Sequence, residues 1–581
     1  MFDKNECINS LPVMEGAGSP GNTSGVIMTL LALSCLLINI PWGYIFSTDM
    51  VIPEYSGWLL LGLALLAIAF SRRMVLYRSP WLLLSFLTLS LPLLWMMPHA
   101  DVWRAISRVL LMWCGGFFFL WLAACRLSLR VAERAGNMVV VTGVVCAFSV
   151  LLYVLWPAGY AHWLPLPLDM RASGGFRQVN VMASFLATAL SVCLVRWLFS
   201  GRKRFLVAMA MLMMALTGTQ STVELLGAAV AICLMTIAGW HTVRRRLYLV
   251  LPLLCGAWGS AKLFLKMMNV VTLIDHENSW SSKVQMWRAG MRLIADRPFT
   301  GQGYGMFEGV WPQGIAALHE VQLTGLLSHP HNELLYWGIE GGLVAGVGIV
   351  FLLVWGVRVA IRLWQQASAV GGYGKPGSDA LGWGICSLPL LLHTQTEYPW
   401  YQSPAHYVLF LFLAGMAVSR MPSAELGGVS SARVLPYKHA MTGLFALAGA
   451  GVVYFSLSGT AVRMSIDAAK LSMVSDTQLF DNVRCVNPWF QPDEQGFVLN
   501  LHQLQSYNAD HNSARLGVAE AFFQDYLLHH PDPNVYAMYI QALALNGKPV
   551  QANQVYEEAR QRVGWDNRFL IVPDEKEKHK S

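Results

Sequence analysis

Ser328-His329-Pro330-His331-Asn332 closes the longest polar interruption between apolar runs in this chain, a stretch from about Leu265 to Tyr336. The same stretch carries Lys283, Arg288, Arg292 and Arg297. On either side the sequence returns to long apolar runs. The sequence reads as a chain whose helices cross a bilayer and whose polar loop holds the chemistry.

Composition supports that reading. The 581 residues are 55% hydrophobic and 13% charged, with a mean hydropathy of +0.45. A soluble chain carries about a quarter charged residues, so the balance is that of a membrane protein. The net charge of +7 falls in short basic clusters between apolar runs, a pattern of loops near anionic lipid rather than a nucleic-acid groove, so membrane lipid is expected as a partner and nucleic acid is not. Most cysteines lie inside apolar runs, among them Cys114, Cys146, Cys193 and Cys386, and no disulfide framework or CxxC metal spacing occurs. Residues 1–24 contain Asp3, Glu6 and Glu15, unlike a cleaved signal peptide, and read as a cytoplasmic tail.

Runs long enough to span lie near 26–46, 57–71, 80–97, 105–124, 137–157, 181–199, 205–217, 222–240, 247–265, 333–357, 381–396, 404–419 and 440–458. The fold class expected is therefore all-α, a polytopic membrane protein of about thirteen transmembrane helices within residues 25–459. Arg72, Arg73 and Arg78, then Arg202, Lys203 and Arg204, then Arg244, Arg245 and Arg246, mark alternate loops as basic, hence cytoplasmic. The loops 158–180, 218–221, 266–331 and 397–403 then face the periplasm, together with the tail 460–581. In that tail 513–529, 534–545 and 550–563 read as amphipathic helices broken at Pro531-Asp532-Pro533 and Asn546-Gly547, a pattern like tetratricopeptide hairpins (TPR-like) that suits a protein partner or a plain helical domain.

Several outer stretches carry candidate chemistry. Arginine is unexpected on the outer side, so Arg171 and Arg177, with Gln178 and Asn180 at the next helix mouth, suit a phosphate or sugar, or headgroup snorkelling. Asp101, Arg104 and Arg108 mark a wet cavity, a lipid phosphate or a headgroup anchor. Glu224 raises the choice between a site residue and an interhelical bond. Ser281 to Arg292 has a helical pattern that puts Arg288 and Arg292 on one face. Asp296 to Phe307 is turn-rich, and its glycines are not a phosphate loop, because no strand precedes them and no Gly-Lys-Ser follows. His331, and as a second candidate His329, could accept a proton from a hydroxyl nucleophile. Glu397, Tyr398, Trp400 and Tyr401 suit stacking on sugar rings and bonding to their hydroxyls. No metal is expected: His329-Pro-His331 is not the i, i+4 pair of zinc hydrolases, and no outer Asp-x-Asp would hold a divalent ion.

Taken in order, Gly174-Gly-Phe-Arg-Gln-Val-Asn180, Trp287 with Asp296-Arg-Pro298, Gly301-Gln-Gly-Tyr-Gly305, His329-Pro-His-Asn332, Glu340-Gly-Gly-Leu343, and His393 with Glu397-Tyr-Pro399 resemble the bacterial O-oligosaccharyltransferases of the PglL type, within the O-antigen ligase and polymerase superfamily. The resemblance covers about residues 25–420 and extends to the tail. It implies an inner-membrane glycosyltransferase that moves a preassembled glycan from undecaprenyl pyrophosphate to serine or threonine of periplasmic proteins such as pilins, without a cofactor. It maps the family histidine to His331 and the outer arginines, which would hold pyrophosphate, to Arg171, Arg177 and Arg288. Thr222 and Lys283 stand where many relatives have arginine, and lysine lacks the bidentate fork, so the phosphate ligand set stays open. A ligase, a polymerase and a transporter of lipid-linked sugars are the alternatives.

Overall fold

The computed structural model describes residues 25, 29 and 51–570, except 72–75, 97–99, 126, 164–170, 172, 175, 177, 269–275, 317–325, 376, 422–437 and 473–486. All regular structure among the described residues is helical. In order the helices are α1 (Val51–Ala69), α2 (Pro80–Ser90), α3 (Val102–Ala124), α4 (Leu129–Leu155), α5 (Pro157–Trp163), α6 (Val179–Ser200) and α7 (Arg204–Gly218). Then come α8 (Thr222–Met267), α9 (His276–Asp296), α10 (Phe307–Ala316), α11 (Glu333–Ala369), α12 (Asp379–Cys386), α13 (Leu388–His393), α14 (Pro399–Gln402) and α15 (Pro404–Ser419). The last described helices are α16 (Lys438–Ser472), α17 (Pro492–Asp510), α18 (Ser513–His529), α19 (Pro533–Leu545) and α20 (Pro549–Val563).

Among the described residues six helices are long and apolar enough to cross a membrane: α3, α4, α6, α8, α11 and the 438–467 part of α16. Four more apolar helices are shorter, within α1, α2 with the turn after it, α7 and α15. The expectation of about thirteen spans is therefore met only in part. Of the 26–46 run only residue 29 is among the described residues. A 15-residue helix such as α7 rises only about 22 Å against a hydrocarbon core of about 30 Å. The two runs 222–240 and 247–265 are joined in α8, whose backbone leaves helical geometry at Val243, beside the Arg244-Arg245-Arg246 cluster. The 381–396 run divides into α12 and α13 around Ser387.

α6 is the centre of the bundle: its apolar window is wholly buried, and α4, α7, α8 and α12 pack around it. Its sequence explains this. Ala183, Ala187 and Ala189 are fully buried small residues that admit close neighbours. Ser184, Thr188 and Ser191 satisfy their hydroxyls on the helix's own carbonyls, as in Thr188 Oγ1 to Ser184 O at 2.8 Å, and so carry no exposed polar group into the interior. α11 is the opposite case. Leu343, Val347, Val350, Leu353, Val357 and Ile361 are exposed along one face at three- and four-residue spacing, which in water would be a long apolar patch and in a bilayer is an outer wall.

The polar interruption 266–331 contains α9 and α10, and its glycine-rich turn is a structural wedge. Gln302 N–H donates to Ile339 O at 2.8 Å, Gly303 N–H to Glu340 O at 3.0 Å, and Leu343 N–H to Pro298 O at 2.8 Å. These bonds take the backbone groups freed where α11 breaks at Gly342 (φ 58, ψ −150). Gly301 and Gly342 both have positive φ, and a Cβ on either would collide with the other's backbone. Gly301-Gln-Gly-Tyr-Gly305 and Glu340-Gly-Gly-Leu343 are thus two halves of one joint.

The tail helices α18, α19 and α20 fall within a residue of their expected bounds. Asn512 and Asp532 cap α18 and α19 by accepting from Ala514 N and Asn534 N. α16 runs through the expected boundary at 459 to Ser472. The tail docks on α10, where Arg562 Nη2 donates to Gly309 O at 2.9 Å and its Nη1 to Leu527 O at 2.7 Å.

Candidate active site at the loop end of the bundle

The His329-Pro-His331-Asn332 turn is held against the 394–398 turn by its backbone and by Asn332. Glu333 N–H donates to Thr394 O at 2.9 Å, and Asn332 Nδ2 to Gln395 O at 3.0 Å, while Asn332 Oδ1 caps α11 by accepting from Leu335 N at 2.9 Å. His331 sits at φ 54, a left-handed backbone that a non-glycine residue adopts only when its surroundings fix it.

The two histidines separate cleanly. His329 Nδ1 accepts from His331 N at 3.0 Å, which puts the proton of a neutral ring on Nε2, and Nε2 lies 3.2 Å from Glu333 Oε2. His329 is buried and stacks on Tyr398, with Tyr336 edge-on. Burial pushes its pKa below the ordinary histidine range, with the Glu333 hydrogen bond opposing. Both nitrogens are used, so His329 is a strut. His331 lies 2.8 Å from Glu397 Oε2 through Nδ1, and its Nε2 has no hydrogen-bond partner among the described residues. Its side chain is 20% exposed. Tyr398 sets the ring edge-on at 5.0 Å.

Glu397 is the hub. Besides His331 it takes Lys283 Nζ at 3.5 Å, Asn180 Nδ2 at 3.4 Å and Gln178 Nε2 at 3.5 Å. Burial alone would raise its pKa, but the His331 hydrogen bond and charge, with Lys283, hold the carboxyl at about 2. Gln178 and Asn180 arrive at the start of the buried α6, Lys283 from α9 and Glu397 just before α14. Arg171 stands at the margin: its Nη1 donates to Thr219 O at 3.2 Å, and Glu397 is near enough for its charge to act on the guanidinium.

His331, His329, Lys283, Gln178, Asn180, Glu397 and Tyr398 are therefore gathered in one cluster. Arg177 lies outside the described residues. Arg288 is exposed on α9 and makes no contact with the cluster among the described residues. Five residues separate it from Lys283, about 140° around an α-helix, so the two cannot both face Glu397. Two further assignments change. Arg104 and Arg108 both have carboxylate partners within the protein. Arg104 binds Asp101 and Glu308, at 3.1 and 2.5 Å. Arg108 Nη2 is 2.7 Å from the buried Glu340, with Tyr304, Tyr336 and Trp337 stacked around the guanidinium.

Behind the cluster stand Ser221, which sequence reasoning did not single out, and Glu224, for which it left open a site role or an interhelical bond. Ser221 Oγ donates to Asn180 Oδ1 at 3.0 Å, which turns the amide nitrogen toward Glu397. Glu224 Oε1 and His393 Nε2 approach to 3.5 Å in full burial. The signal was in Thr219-Gln-Ser-Thr222 and in His393, but their pairing needs α6, α8 and α13 folded together.

Residues 205–350 match a family model described as O-antigen ligase, and residues 381–562 match one described as virulence factor membrane-bound polymerase, C-terminal. These matches support the O-antigen ligase and polymerase superfamily. Comparison with curated proteins gives no match. The ligase-matching segment holds Lys283, His329 and His331, and the polymerase-matching segment holds Glu397, Tyr398 and the tail to Arg562. The His331–Glu397 contact thus joins the two segments by which the superfamily is seen.

Proposed function

We propose that this protein is an inner-membrane O-oligosaccharyltransferase of the PglL type. It moves a preassembled glycan from undecaprenyl pyrophosphate to a serine or threonine hydroxyl of a periplasmic protein such as a pilin. The observation that carries this reading is the His331–Glu397 contact. With Nδ1–H directed at a carboxylate that stays ionised, the imidazole keeps its lone pair on Nε2, on the side without a protein partner. Nε2 takes the acceptor hydroxyl's proton as the hydroxyl oxygen bonds to the anomeric carbon. The bond from that carbon to the phosphate oxygen breaks, and the lipid pyrophosphate leaves with the electron pair. Lys283 and Arg171, with Arg177, stabilise the charge that develops on it. Gln178 and Asn180 hold Glu397 in register. Tyr398 fixes the plane of His331. Arg288, exposed on α9, has a lesser claim.

The order of family motifs and the helical tail support a protein acceptor. A second reading, ligation to lipid A core or extension of the glycan itself, is favoured by both family matches, one to O-antigen ligase and one to a membrane-bound polymerase. Membranes carrying the protein, supplied with lipid-linked glycan and a pilin-like acceptor, separate the two. Mass spectrometry that finds a glycan on the acceptor protein, absent with His331→Ala, supports transfer to protein. Glycan found only on lipopolysaccharide, or lengthened on its lipid carrier, overturns it in favour of the second reading.

A further inference from the structure

At the junction of the tail with the outer end of α3, four side chains from three parts of the chain converge. His529 Nε2 and His530 Nε2 lie 3.1 and 3.3 Å from the same oxygen, Asp493 Oδ2. Asp101 Oδ2 lies 3.8 Å from His530 Nε2. One ligand atom from each of His529, His530 and Asp493 falls within 4.8 Å of the others. His529, His530 and Asp101 are buried, and Asp493 is partly so.

We propose that Asp493, His529 and His530 form a zinc-binding site where the tail domain docks on the membrane bundle. A tetrahedral zinc ion with ligands at about 2.0–2.1 Å requires neighbouring ligand atoms about 3.3 Å apart, and two imidazoles with one carboxylate are an ordinary three-residue zinc set. The separations of the two imidazole nitrogens from Asp493 Oδ2, 3.1 and 3.3 Å, match that spacing. The second layer is present too. His530 Nδ1 is 3.2 Å from Glu308 Oε1, so its proton points to a carboxylate and Nε2 is turned to the ligand position, the usual orientation of a metal-binding imidazole.

The site lies apart from the His331–Glu397 cluster, and the inference does not depend on which glycan acceptor is used. Its structural consequence is local: the tail supplies the ligands and Glu308 of α10 orients His530, so one ion would steady the docking of the tail on α10.

The test uses the full chain purified in detergent, stripped with a chelator and then given zinc chloride alone. The expected result is about one zinc per chain by elemental analysis and a higher thermal midpoint on zinc addition, both lost in Asp493→Asn and in His529→Gln. Size-exclusion profiles identify any variant that misfolds, and the stripped wild-type protein, which carries no substitution, supplies the reading if one does. No zinc retained by the wild-type protein after desalting, or no zinc-dependent change in its midpoint, overturns the proposal. Equal zinc retention by properly folded Asp493→Asn and His529→Gln overturns it as well, since the ion would then lie elsewhere.

Discussion

His331 and Glu397, 66 positions apart in sequence, meet at 2.8 Å between Nδ1 and Oε2. The contact sets which nitrogen of the ring stays available. Replacing Glu397 by glutamine removes the charge that favours the Nδ1–H tautomer and the imidazolium formed in the reaction. Glu397→Gln and His331→Ala are each expected to lower the rate of glycan transfer by about 10²-fold or more, the range of a lost general base. Initial rates with purified lipid-linked glycan measure this. A rate within a few-fold of wild type for either variant would remove the pair from the mechanism.

His329 is expected to behave differently from its neighbour. Its loss leaves the buried Glu333 without its histidine partner, a fault of about 3–5 kcal/mol when a buried pair is broken. His329→Ala should therefore lower the thermal midpoint in detergent, whereas His331→Ala should leave it nearly unchanged. Equal midpoints for the two variants would contradict the assignment of His329 as a strut.

The pH dependence follows from Glu397. Its folded pKa of about 2 lies below its ordinary value of 4.5, so as pH falls the unfolded chain takes up the proton first. The ionised carboxylate therefore contributes stability that is complete above about pH 4.5 and is lost as pH falls toward about 2. The difference in thermal midpoint between wild type and Glu397→Gln should be level near neutrality and shrink in that acid window. A difference that grew on acidification would have the wrong sign.

Glycine positions offer a contrast. Gly301→Ala and Gly342→Ala place a Cβ against backbone at positive φ, while at Gly346 an added Cβ meets nothing within 4 Å. The first two should each destabilise by more than about 1 kcal/mol, and Gly346→Ala should be neutral or slightly stabilising. Thermal midpoints of the three variants decide this.

Arg108 and Glu340 invite a double-mutant cycle. Arg108→Met alone strands Glu340, at a cost of about 3–5 kcal/mol, and Arg108→Met with Glu340→Leu should recover most of it. Additive losses would show that the two do not act as a pair.

What could be read from the sequence was set by how local the cause was. The tail helices were legible because Asn512, Asp532, Pro533 and Gly547 mark their ends within a few residues. The two histidines were visible as polar residues at the mouth of an apolar run, but their division of labour was not. It depends on the backbone N–H of His331 reaching His329 Nδ1 and on a turn brought in from Glu397. Arg104 and Arg108 read as open cations for the same reason, since Glu308 and Glu340 are distant in sequence. Arg288 was grouped with Lys283 although helical geometry alone sets them on different faces, an inference the sequence did permit. The number of spans was the least legible, because hydropathy does not say whether Val243 ends a helix or only bends it.

The apolar face of α11, from Leu343 to Ile361, begins ten residues or so beyond the loop that carries His331. Under the proposed reading, the helix that ends in the catalytic turn is also a wall along which a polyprenyl chain can lie. The donor would then reach the site by sliding sideways within the membrane leaflet, with its sugar already above the surface, while the acceptor arrives through water. Two substrates of opposite solubility would meet where one helix passes from lipid to loop, and neither would have to cross the other's medium.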